Sequence, residues 1–161
     1  GSDREAILAT VQKVFDAMRT RDTALLSQAF DSTGRLVSVS ARGTPSVSLL
    51  PPSQFGAAIA RAPAGDVWNE RIYDPEVRID GNVAQVWAYY TFHRNTTFSH
   101  CGIDAFMLAK VVRPINAISR WPRCAVTVVV RDAVPMSCVA TLCTDLGFMS
   151  CIVHNLLDSL G

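Results

Sequence analysis

Three runs of strand-forming residues, 67–79, 83–94 and 99–112, are separated by only three and four residues. A connection that short cannot return the chain to the start of a parallel neighbour, which takes a dozen residues or more. The three runs are therefore expected to form an antiparallel meander. Asp80-Gly81-Asn82 carries the residues of a tight turn. Asp74-Pro75 interrupts the first run, and since proline cannot donate to a ladder, a bulge or an edge is expected there. Such a meander needs a layer of helices to cover one of its faces.

The helices come first in the chain. Over 3–21, Ile7, Val11, Val14, Phe15 and Met18 fall at helical spacing and make one apolar stripe. Ser2 or Asp3 can cap its start, and Glu5 sits in the first turn, where the helix dipole favours an acid. A short second helix is expected over 23–30, then a turn at Asp31-Ser32-Thr33-Gly34 and a strand over 35–41. The stretch 43–52, rich in proline and serine, reads as a loop or hairpin. A third helix follows over 52–62, with Phe55 and Ile59 one turn apart. This order predicts an α+β fold, with helices on one face of a curved antiparallel sheet.

Composition narrows the functions. The chain has 161 residues, 49% of them hydrophobic and 18% charged, with a net charge of +1. That suits one domain with a real core and gives no field to attract nucleic acid or anionic membrane. No apolar stretch approaches the roughly 18 residues that span a bilayer. The expectation is a soluble protein, in the cytoplasm or exported after loss of a signal peptide, with no nucleic-acid or membrane partner. Five cysteines, an odd number, do not make a fully paired disulfide framework. Cys138, Cys143 and Cys151 with His154 nearby read as buried thiols rather than as a metal site, and no metal is expected.

The opening DREAILATVQKVFDAMRTRDTALL, the run IDGNVAQVWAYYTF and the run SHCGIDAFMLAK resemble the nuclear transport factor 2-like superfamily, in its SnoaL-like branch named for lumazine binding. The resemblance covers residues 3–119. It implies a cystatin-like cone, a six-stranded curved sheet around three helices, usually as a homodimer. The family hosts cofactor-free lyases, isomerases and hydrolases beside non-catalytic binders, so the fold leaves the function open. After Lys110 the chain departs from the family. A last family strand is expected within 112–119. Residues 111–161 contain no lysine and no glutamate yet hold four of the five cysteines, as a shifted reading frame or an unrelated extension would. We therefore divide the chain into a cone domain, 3–119, and an apolar, cysteine-rich extension, 120–161, with no part in pocket chemistry. Within the extension Val126–Val130 is strand-prone and should pair with a sheet edge, its own or a partner's. Residues 149–160 have the spacing of a short helix.

Alternation along 83–93 sends Ala84, Val86, Ala88, Tyr90 and Phe92 to one face, expected to be the concave, helix-covered one. Pairing Phe92 with His100 sets Tyr90 opposite Gly102, Ala88 opposite Asp104 and Val86 opposite Phe106. That register brings His100, Asp104 and Phe106 into the concavity, and a slip of one residue would send them out. Asp104 is the sharpest candidate, because a carboxylate facing apolar walls has its charged form disfavoured, as acid–base work requires. Its alternative is a structural acid that orders the sheet. His100 is the second catalytic candidate, with a capping role as its alternative. Four residues along a strand separate the two by roughly 13 Å, too far for a direct dyad. Trp68, Glu70, Tyr90, Phe92 and Phe106 are the expected ligand-binding lining. Cys101 beside His100 is not expected to be a nucleophile, because adjacent strand residues face opposite ways.

Three functions fit these residues: a small-molecule-binding domain with an apolar pocket, a lyase, isomerase or hydrolase that needs no cofactor, and a dimerisation or interaction module. Trp87 and Tyr89 fall on the face away from the helices, and so much aromatic surface predicts a homodimer.

Overall fold

The computed structural model describes residues 2–40, 44, 46–111 and 120–131, with side chains described through residue 110. Helix α1 (Asp3–Thr20) starts in a capping box. The Glu5 backbone N–H donates to Ser2 Oγ at 3.3 Å, and the Ser2 N–H donates to Glu5 Oε2 at 2.7 Å. Arg21, left-handed at φ 59°, ends it. Asp22 caps α2 (Thr23–Ala29) by accepting from the Leu25 N–H at 2.9 Å. Helix α3 (Pro52–Arg61) begins on Pro52, whose missing N–H would have been unpaired there in any case.

The strands are β1 (Phe30–Ser40), β2 (Ser46–Leu50), β3 (Trp68–Asp80), β4 (Val83–Arg94), β5 (Thr97–Val111) and β6 (Arg120–Arg131). They form one sheet in the order β2-β1-β6-β5-β4-β3. The meander of β3, β4 and β5 is antiparallel, as the short connections demand. The Asp74-Pro75 interruption is a shift of register between Tyr73 and Glu76, with Asp74 at φ 46°. Gly81 turns between β3 and β4 at φ 54°, a conformation open to glycine without strain.

Within the stretch 43–52, read as a loop or hairpin, Ser46–Leu50 forms β2, antiparallel to β1 as in a hairpin. Two expectations need correction. The turn expected at 31–34 lies within β1, which leaves α2 directly and absorbs the extra residues as a register shift between Phe30 and Arg35. The second correction is the larger. Arg120–Arg131, placed above in an extension, is a central strand of the sheet, parallel to β1 and antiparallel to β5. The physical reason is the edge: without β6, β1 and β5 would each present a row of unpaired backbone groups. The sheet therefore runs past the boundary drawn after Ser119. The strand expected within 112–119 and the helix expected at 149–160 lie outside the described residues, as do Cys138, Cys143, Cys151 and His154.

The core forms where α1 crosses the sheet. Ile7, Val11, Val14 and Phe15 are buried against Val86, Phe106 and Leu108. Ala84, Val86, Ala88 and Tyr90 are buried too, so the concave face of β4 is the one alternation selects. On the other face Trp87 and Tyr89 are 43% and 39% exposed. No helix among the described residues is long and apolar enough to cross a membrane.

Candidate functional site

The β4–β5 register decides where the candidate residues go. Phe92 pairs with His100, Tyr90 with Gly102, Ala88 with Asp104 and Val86 with Phe106, which is the register supposed from the sequence. On the other side, β3 sets Glu70 opposite Phe92 and Trp68 opposite Arg94. The concave face thus carries Glu70, Phe92 and His100 in one row across three strands.

These residues meet at a cavity of about 400 Å³. Trp68, Glu70, Phe92, His100, Asp104 and Phe106 all line it. Tyr90, expected in the lining, is fully buried and does not reach the cavity wall. Its ring stands nearly perpendicular to that of His100, with centroids 5.8 Å apart at 86°. On β5 it pairs with Gly102.

Several lining residues escaped the sequence reading. Val14, Phe15 and Met18 of α1, Leu36 of β1, Leu50 of β2 and Phe55 of α3 close the apolar side of the cavity. The α1 residues read from the sequence as one apolar stripe, and nothing in its periodicity separates core from cavity wall. Arg94 was readable, because it continues the alternation of Tyr90 and Phe92 by two further residues. Ser99 was not, since alternation from His100 turns it to the far face, yet it too lines the cavity.

Arg94 is tied to a partner. Its Nε donates to Asp66 Oδ1 at 3.2 Å and its Nη2 to Asp66 Oδ2 at 2.5 Å, the two-pronged geometry in which guanidinium and carboxylate match best. Trp68 Nε1 donates to the same Oδ2 at 3.2 Å. The Arg94 hydrogen bond and then that of Trp68 hold the Asp66 carboxyl below its ordinary range, and Asp66 in turn raises Arg94. The cross-strand link continues below, where the Asn95 N–H donates to the Val67 carbonyl at 2.8 Å and Asn95 Oδ1 accepts from the Val67 N–H at 2.9 Å. This network fixes the Trp68 indole, whose face also meets Phe92 edge-on at 6.3 Å.

Asp104 lies in the middle strand of the site with 0% exposure, between Ala88 of β4 and Val129 of β6 in the pairing. His100 is held among aromatic rings, tilted 31° on Phe92 at 4.9 Å. Glu70 is half-buried on the same side. The arrangement offers an apolar hollow with a carboxylate at depth and a second carboxylate, an imidazole and a hydroxyl around it. Cys101 faces the other way, paired with Thr91, and it is disulfide-bonded, so it offers no thiolate. Among the described residues no group of three or more potential metal ligands occurs.

Comparison with known proteins bears on the fold. No family model matches the chain, and no curated protein does. Solved structures do. A Mycobacterium tuberculosis protein of unknown function superposes with a TM-score of 0.63 at 14% identity, over 83% of this chain and 79% of that one. An NTF2-like protein with a cystatin-like fold from Novosphingobium aromaticivorans gives 0.60 at 16% identity, over 84% and 86%. An NTF2-like protein of unknown function from Shewanella baltica gives 0.59 at 16% identity, over 82% and 95%. The chain has the NTF2-like, cystatin-like α+β fold that the sequence resemblance implied.

Proposed function

We propose that the protein is a small-molecule-binding domain of the SnoaL-like type, with its ligand in the cavity between α1 and the concave face of the sheet. One observation carries this reading: Trp68, Glu70, Phe92, His100, Asp104 and Phe106, drawn from three strands, line a single hollow that α1 closes with apolar side chains. An apolar enclosure with a few convergent polar groups is the usual form of such a site. The size suits a compact cyclic or aromatic molecule whose body packs on Phe92, Phe106 and Trp68. Its polar groups would meet Asp104 and His100.

The test is Asp104→Asn, which keeps the shape of the side chain and replaces its carboxyl group by an amide. Quenching of Trp68 fluorescence by a panel of cyclic and aromatic compounds, read against Trp68→Phe, reports binding. Leaving a buried hydrogen-bonding group without its partner costs about 1–3 kcal/mol, so the affinity of the best compound should fall roughly five- to hundred-fold. The melting temperature should change little. A large drop in melting temperature with unchanged binding would make Asp104 a structural residue.

A second reading has its own support. His100 and Asp104 line the same cavity, as an acid–base pair acting on a bound substrate would. The protein would then be a cofactor-independent lyase, isomerase or hydrolase, and Asp104→Asn would abolish turnover while leaving binding nearly intact. An interaction module without a ligand accounts less well for the hollow.

The outer face of the sheet supports a homodimer, because Trp87 and Tyr89 lie side by side with about two-fifths of each exposed. Sedimentation at micromolar concentration should show twice the chain mass, and Trp87→Lys should shift it to the monomer. A wild-type protein that sediments as a monomer refutes the dimer.

A further inference from the structure

We propose that Ser99 is a positioning residue for His100: a bulge turns both side chains to the cavity, and the Ser99 hydroxyl holds the imidazole in its Nε2–H tautomer. In a regular strand, residues 99 and 100 would face opposite ways. Here the pairing steps from Phe92↔His100 to His93↔Phe98, which leaves Ser99 as the extra residue opposite no partner strand position. Bulges of this kind re-aim side chains at the ends of strands. As a result both residues line the cavity, and Ser99 Oγ lies 3.1 Å from His100 Nδ1.

The ring has little freedom to leave that hydroxyl. Phe92 lies against it at 4.9 Å, and Tyr90 abuts it edge-on at 5.8 Å. A neutral imidazole has one donor and one acceptor nitrogen, while a serine hydroxyl can serve either. With the hydroxyl donating to Nδ1, the proton sits on Nε2, the tautomer that a neutral imidazole already favours in water. The bond that one ring nitrogen makes thereby sets the character of the other. A ligand that engages Nε2 then meets a hydrogen-bond donor, which selects for an acceptor group such as a carbonyl oxygen on the apolar molecule. That consequence rests on the cavity being the ligand site. The tautomer itself does not, because it is measured in the protein without ligand, so the two readings can fail separately.

The experiment is long-range proton–nitrogen correlation on the full chain labelled at its histidine nitrogens, at a pH where the rings are neutral, with His100 assigned through His100→Gln. The wild type should show the Nε2–H pattern at His100. Ser99 is exposed, so Ser99→Ala should fold, and its His100 signals should shift toward a mixture of the two tautomers. Ser99→Thr keeps the hydroxyl and should restore the wild-type pattern. An Nδ1–H pattern in the wild type overturns the proposal. So do His100 signals that are the same in Ser99→Ala as in the wild type, or a threonine variant that behaves like the alanine one.

Discussion

A chain ended after Ser119 should fail to fold. It would lose β6, which lies between β1 and β5 and pairs with both. The sheet would separate into a hairpin of β1 and β2 and a meander of β3, β4 and β5, joined only through the helices. Two new edges would open at the centre of the molecule, and open edges invite association with other chains. The cavity would lose its frame too. Leu36 sits opposite Thr127, and Asp104 opposite Val129, so β6 spaces the two walls that carry those residues. The expected result is no cooperative thermal transition and aggregates on gel filtration. Val128→Pro probes the same strand without removing the rest of the chain. Val128 pairs with Val37 on one side and Ala105 on the other, and a proline in a central strand removes a ladder bond. A shortened chain that melts cooperatively at the wild-type temperature would mean that β6 is not part of the sheet.

Replacing Phe106 by alanine should remove a large share of the stability. The ring is 1% exposed and meets Phe15 edge-on, with centroids 6.0 Å apart at 76°. It is therefore one of the contacts through which α1 packs on the sheet. Truncating a buried phenylalanine to alanine costs about 3–5 kcal/mol, transfer and cavity terms together. Domains have roughly 5–15 kcal/mol in all, so the variant would be marginal. At about 2–4 °C per kcal/mol for a chain of this size, the melting temperature should fall by roughly 6–20 °C. Urea unfolding followed by circular dichroism measures the difference. A loss under about 1 kcal/mol would place the ring outside the packed core. Phe106 also lines the cavity, so its removal enlarges the hollow, and a bound compound that fills the space should recover part of the loss.

Much of the site was legible because it depends on short-range geometry. Alternation in β4 chose the concave face by itself: the even-numbered set from Ala84 to Tyr90 is buried, while Trp87 and Tyr89 stay exposed. Once that face was chosen, everything hung on the pairing of Phe92 with His100, which the sequence left open, since a slip of one residue would have turned the next set outward. That logic carried His100, Asp104 and Phe106 to the cavity. It failed for Tyr90, because alternation tells which face a ring occupies but not whether the ring lines a hollow or fills one.

What the sequence by itself determined is therefore the local order: three helices by periodicity, an antiparallel meander by connection length, and the inward face of β4 by alternation. What only the tertiary structure decided has a common cause in its dependence on distant chain or on single extra residues. Pairing β1 with β6 joins Leu36 to Thr127 across most of the chain, and no local pattern in either strand names the other. The bulge at Ser99 is one residue in fifteen along β5, and it reverses the face that alternation assigns. The cavity needs α1, α3 and five strands to face one another at once, and its volume is set by how closely those elements approach. No window of sequence contains that distance.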